Sequence, residues 1–213
     1  MFKRILFLIV LFVDVMTLKA QKPFTPTTHL GITGGVNISR VAFTPTVKQN
    51  PMTSATMGLV VRHVSEPHIG LQMELNFAGE GWSEDADTLG SYKRKLQVLN
   101  LPMQAVFIAG SKMLRFAFTI GPYITWIKDE KESIAMDTAF YGTYYEQPLP
   151  AKWEFGFTGG LGVEFHTKIG AFGIRAIYSN ALTNLFPLNA STFYFNGSRS
   201  QILQAGFTYY HKL

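Results

Sequence analysis

The sequence predicts an all-β protein, an eight-stranded antiparallel up-and-down transmembrane β-barrel, on three observations. Apolar and polar residues alternate with period 2 in segment after segment, and no helical apolar spacing is sustained over three turns. The alternating segments run to about 9–14 residues, beyond the usual five or six but suited to a tilted strand that crosses a bilayer in about 9–11. The connections between them alternate long and short, the rhythm of a meander with both ends on one side. Composition agrees. Only 15% of the 213 residues are charged and 14% are aromatic, against roughly 25% charged in soluble domains. The absence of cysteine excludes a disulfide scaffold and thiolate metal sites.

Residues 1–20 read as an export signal. Lys3 and Arg4 form a basic head, Ile5 to Val13 an apolar core, and Leu18-Lys19-Ala20 a cleavage site before Gln21. The core is too short to span a membrane as a helix. Its removal takes out Lys3, Arg4, Lys19 and Asp14, so the net charge falls from +5 to +3, which leaves little support for a nucleic-acid partner. Residues 21–213 are then one barrel domain.

Strands are predicted at 30–38, 55–64, 68–77, 96–107, 113–127, 153–166, 171–179 and 201–211. The clearest is the third. Ile69, Leu71, Met73, Leu75 and Phe77 share one face; Gly70, Gln72, Glu74 and Asn76 share the other. In the sixth, Trp153, Phe155, Phe157, Leu161, Val163 and Phe165 oppose Glu154, Gly156, Thr158, Gly160, Gly162 and Glu164. Short turns are expected at 65–67, 108–112 and 167–170, and long loops at 39–54, 78–91, 128–151 and 180–200.

A charge on the lipid face costs about 2–4 kcal/mol near the midplane, so the apolar phase must face lipid. Arg62, Glu74, Arg115, Glu164 and Arg175 then point inward, where eight strands leave only enough room for side chains. Inward glycines, among them Gly58, Gly156, Gly160 and Gly162, make space for them. A plugged, ion-paired lumen is expected instead of a channel. Outward aromatics fall at two heights, as interfacial rings do. Trp126, Trp153, Phe155 and Tyr178, with Phe77, form an outer girdle. Phe165, Phe172 and Tyr209, with Phe107, form an inner one.

Six stretches carry a family likeness in order: Gly34-Gly-Val-Asn-Ile-Ser39, Gly70-Leu-Gln-Met-Glu-Leu-Asn-Phe77, Leu99-Asn-Leu-Pro-Met103, Gly121-Pro-Tyr123, the run Phe155 to Phe165, and Arg175-Ala-Ile-Tyr178. Together they resemble the PorT-like outer-membrane β-barrel family of Bacteroidetes. The resemblance implies an outer-membrane barrel of a Gram-negative bacterium, and it implies a part in secretion to the cell surface or in an envelope assembly.

Catalytic chemistry finds little foothold. The five histidines, His29, His63, His68, His166 and His211, all fall at the end of the short turns, away from the long loops. No cofactor or metal set is expected, and the chain reads as a monomeric, non-enzymatic barrel. Its functional candidates lie in the loops. Trp82, Lys93, Arg94 and Lys95 are expected at the surface, the basic group against phosphate-bearing lipid headgroups. Tyr141, Tyr144 and Tyr145 suit adaptable protein contacts. The alternative, a soluble periplasmic barrel of lipocalin type holding a hydrophobic ligand, requires apolar side chains inward and polar ones outward.

Overall fold

The computed structural model describes residues 24–85, 90–136, 149–186 and 195–213; the candidate export segment and Tyr141, Tyr144 and Tyr145 lie outside them. Eight strands follow in order: β1 (Thr27–Thr44), β2 (Asn50–Glu66), β3 (Ile69–Asp85), β4 (Gly90–Gly110), β5 (Leu114–Met136), β6 (Trp153–Thr167), β7 (Gly170–Ala181) and β8 (Gly197–Lys212). Each pairs antiparallel with the next, and β1 closes on β8 from His29↔Lys212 to Thr44↔Gly197. Closure leaves no strand edge without a hydrogen-bonding partner strand, a condition the bilayer core imposes because it offers no partner to a free N–H or C=O.

The turns at 67–68, 111–113 and 168–169 lie at the same end as the start of β1 and the end of β8, the periplasmic end in barrels of this kind. Two of them rest on glycines in the left-handed region, Gly110 at φ 127° and Gly170 at φ 146°, a conformation that a side chain would strain.

Between the girdles the wall is apolar outside. Leu161 is 68% exposed and Ile174 76%, and Met57, Leu59, Leu71, Met73, Phe118 and Phe157 stand out beside them. The partners of that wall are lipid tails, and the inward phase carries the polar groups. This arrangement is the reverse of the lipocalin-type alternative.

The strands are longer than the sequence periodicity suggested. β3, β4 and β5 have 17, 21 and 23 residues, well past the span of a bilayer. Much of the expected loops 39–54, 78–91 and 128–151 is therefore strand that projects beyond the outer girdle. The reason is a change of phase. On β4, Met103 and Phe107 are apolar and outward below the interface, whereas Tyr92, Leu96 and Val98 are apolar and buried above it. Lys93 and Lys95 then face out. On β1 the same switch separates outward Ile38 from buried Val41 and Phe43. A strand whose surroundings pass from lipid to water must reverse its alternation, and the reversal disguises its continuation.

The outer projection therefore has a core of its own. Val41, Phe43, Trp82, Tyr92, Leu96, Val98 and Ile127 meet Leu149, Leu185, Phe186 and Phe195 from the connections above. Phe43 lies edge-on to Trp82 at 5.5 Å and beside Phe195 at 4.5 Å. Ser198 ties the β7–β8 connection down, accepting from the Phe186 amide at 2.9 Å through its hydroxyl and from the Leu185 amide at 2.8 Å through its carbonyl.

The lipid-facing assignment has a direct test. Leu161→Arg, near the midplane, should cost about 2–4 kcal/mol of folding stability. Met113→Arg, equally exposed but in a periplasmic turn, should cost little. Urea unfolding of the barrel in phosphatidylcholine vesicles measures both, and equal costs would overturn the assignment.

Candidate functional site

The lumen holds the first group of candidate residues, brought from strands far apart in sequence. Arg62 on β2 reaches across to Glu164 on β6, Nη1 to Oε1 at 2.6 Å. Its Nη2 donates to the Tyr210 hydroxyl at 2.6 Å and its Nε to Gln72 at 2.7 Å. The guanidinium also lies 4.2 Å from the centre of the Tyr210 ring. Arg175 on β7 forms a two-pronged pair with Glu74 on β3, the longer arm 2.8 Å. Its Nη2 also donates to Thr33 on β1 at 2.6 Å. Gln72 links the halves, donating to Glu74 at 2.6 Å while its oxygen accepts from Arg62 and Tyr210. Asn76 donates to the other Glu74 oxygen at 2.9 Å.

Two arginines thus meet two glutamates. A buried charge is tolerated only when paired and hydrogen-bonded, and this network supplies both conditions for Arg62, Glu74, Glu164 and Arg175. A residual cavity of about 20 Å³ lies among Arg62, Gln72, Thr119, Gly160, Glu164 and Arg175, room for about one water. Higher in the lumen Asn100 donates to Thr125 at 2.6 Å, and the Tyr123 ring is buried. A Cβ on Gly156 would come within 2.6 Å of the Tyr123 ring, so Gly156 makes room for an aromatic, whereas the sequence had suggested room for a charge.

Arg115 stands apart from the network. It is level with Glu164 in the β5–β6 register but lies at the periplasmic rim, its Nε donating to the Ser111 carbonyl at 3.4 Å. The Glu164 carboxylate is taken instead by Arg62 from across the barrel and by His166 at 3.3 Å. In so narrow a bore a long side chain from the opposite wall competes with a neighbour in register. Gln72, Asn76, Thr33 and Tyr210 were not singled out from sequence. The first two were legible on the polar phase of β3, but nothing local marks Thr33 or Tyr210.

The girdle residues all face outward. Trp126 and Trp153 are direct cross-strand partners, stacked at 6.2 Å, with Phe155 and Tyr178 exposed beside them. At the inner end Phe165, Phe172 and Tyr209 run side by side across β6, β7 and β8. Phe172 and Tyr209 lie 5.1 Å apart, and the Tyr209 hydroxyl donates to the Ile169 carbonyl at 2.7 Å.

Two residues expected at the surface are buried. Trp82 is fully buried on the inward phase of β3, its indole N–H donating to Glu84 at 2.7 Å. Arg94 is also fully buried, paired with Glu132 on β5 and lying 5.8 Å from Trp82 and 5.7 Å from Phe186. Because β4 continues to Gly90, the period-2 rule divides the basic triplet: Lys93 and Lys95 point out, and Arg94 points in. Glu132 also accepts from the Tyr92 hydroxyl at 2.7 Å.

The histidines gather at the periplasmic end. His63 contacts the Thr28 hydroxyl at 3.0 Å and His68 the Ile108 carbonyl at 2.9 Å. His29, His166 and His211 line a rim depression of about 210 Å³. Among the described residues no three His, Asp or Glu side chains converge as a metal site.

Residues 20–187 match the family described as the outer membrane protein beta-barrel domain. The chain belongs to this family. As a member of the outer membrane protein beta-barrel domain family it resides in the outer membrane. Comparison with curated proteins returns no match. Solved structures with a similar arrangement include OprG from Pseudomonas aeruginosa, at 12% identity over 85% of this chain and 95% of that one, with TM-score 0.48. Neisserial surface protein A shares 8% identity over 84% and 96%, with TM-score 0.47. Ail of Yersinia pestis, in complex with the heparin analogue sucrose octasulfate, shares 13% over 86% and 98%, with TM-score 0.44.

Two outcomes check this geometry. Glu74→Ala strands the Arg175 guanidinium and should cost about 3–5 kcal/mol. Glu74→Leu combined with Arg175→Leu should recover at least half of that in urea unfolding. A double variant as unstable as the sum of the singles would show that the two charges act independently. Separately, with Trp126 and Trp153 replaced by Phe, the fluorescence of Trp82 should resist quenching by aqueous iodide in the folded barrel. Strong quenching would place its ring at the surface.

Proposed function

We infer that the chain is a non-enzymatic barrel of interactive role, anchored by its wall and acting at the cell surface through the connections above its crown. The observation that carries this reading is the cross-barrel ion pairing: Arg62–Glu164 and Arg175–Glu74 plug the lower lumen, and the cavity among them has room for about one water. The crown, by contrast, is strand with a packed apolar interior, and the segments 137–148 and 187–194 follow β5 and β7 in the chain. The PorT-like resemblance of its strand motifs supports a part in secretion to the cell surface or in an envelope assembly, with the export segment at 1–20 delivering the chain there.

The test separates wall from loops. In a strain lacking the protein, a variant with 137–148 and 187–194 replaced by short Gly-Ser links should insert and show the heat-dependent gel mobility of a folded barrel, yet fail to restore surface display of secreted proteins. Full restoration by that variant would move the function out of the loops.

A further inference from the structure

Two further carboxylates point into the bore above the plug, at the base of the crown's apolar core. Glu80 stands on the inward phase of β3 between Ala78 and Trp82, and is 3% exposed. Glu154 stands on β6 directly opposite Thr125, and is 1% exposed. The two act electrostatically on one another across the lumen. Glu154 takes a hydrogen bond from Ser200 on β8, yet its Oε1 and the Oε2 of Glu80 have no donor. A buried charge is costly unless it is paired, so both groups need a counter-charge.

The chain does not supply one. Among the described residues neither carboxylate pairs with a guanidinium, ammonium or imidazole group. The inward arginines are committed elsewhere, Arg62 to Glu164, Arg175 to Glu74 and Arg94 to Glu132. The segments 86–89, 137–148 and 187–194 contain no Lys, Arg or His, so the connections above bring no basic side chain to the bore.

Two neutral groups point to the same place. Tyr123 on β5 is 2% exposed and its hydroxyl has no partner. Its ring lies over Gly156, the inward position next below Glu154, and its hydroxyl feels the charge of both Glu154 and Glu80. On β1 the buried Asn37 Oδ1 also lacks a donor. Ser39, the next inward residue above it, bonds the backbone of Gly81 beside Glu80, which puts Asn37 on the Glu80 side of the bore. The donors are all oxygens, the ligands Ca²⁺ prefers; it takes about six to eight, water among them, in flexible geometry. We propose that Glu80 and Glu154 bind a divalent cation of the calcium class in the lumen, with Asn37, Tyr123 and water completing its oxygen shell. Two carboxylates balance its charge. The ion ties β3 to β6 where the ion-paired bore gives way to the apolar crown. The site is independent of the loops and of the role they play.

The test refolds the barrel into phosphatidylcholine vesicles in the presence of Ca²⁺ and dialyses it to equilibrium in the same buffer. Bound calcium is then measured as the excess over protein-free vesicles. Wild type should hold about one ion per barrel, and Glu66→Gln, at an exposed periplasmic turn, should hold as much. Glu80→Gln/Glu154→Gln should hold that much less, down to the protein-free level. Ca²⁺ should also raise the urea midpoint of the wild type and leave that of the double variant where it was. Heat-dependent gel mobility shows that the double variant folds. Wild type without bound calcium overturns the proposal, since the pair is then neutralised by protons. Equal binding by the double variant also overturns it, since the ion then lies elsewhere on the barrel.

Discussion

Hydrocarbon offers no hydrogen-bond partner, so a sheet immersed in it must satisfy its backbone internally, and that demand organises everything else in this molecule. The sheet closes, β1 against β8 over an unbroken register from His29 to Thr44. Closure then dictates the side chains. The outer wall must be apolar, and every polar group carried by the spanning strands has one place left to go. An eight-stranded bore is narrow enough that side chains from opposite walls touch. Arg62 therefore finds Glu164, and Arg175 finds Glu74, across the lumen and not along a strand. The polar plug is a consequence of the lipid outside as much as of any role inside.

The same logic explains the crown. Once the strands leave the bilayer, the outward side chains meet water and the inward ones can form an ordinary apolar core. Phe43, Trp82, Tyr92 and Leu96 pack there under Phe186 and Phe195, and Arg94 is accommodated because Glu132, Trp82 and Phe186 surround its guanidinium. The molecule thus has two cores of opposite character stacked along one axis, an ion-paired one within the membrane and an aromatic one above it. The join lies between Val98 and Leu99 on β4, where buried and lipid-facing apolar residues are adjacent in sequence. The girdle of Phe77, Trp126 and Trp153 stands at that height.

Cross-barrel ion pairs plug the lower bore, and apolar side chains pack the crown. The outer wall between the crown and the periplasmic turns meets lipid.

Alternation in the sequence was enough to determine the class of fold, the number of strands and which phase faces lipid, because each is a local consequence of period-2 geometry in a uniform solvent, and the long-short rhythm of the connections added their order. It was also enough to select Arg62, Glu74, Glu164 and Arg175 as inward charges, since a charge on the lipid face is costly wherever it falls. Tertiary structure alone decided who pairs with whom, because partners such as Arg62 and Glu164 are 102 positions apart and meet only across the closed bore. It alone excluded Arg115 from the network and brought in Thr33 and Tyr210. It also decided the fate of Trp82 and Arg94. Their strands outrun the membrane, and the rule that sorts residues in from out reverses where lipid gives way to water.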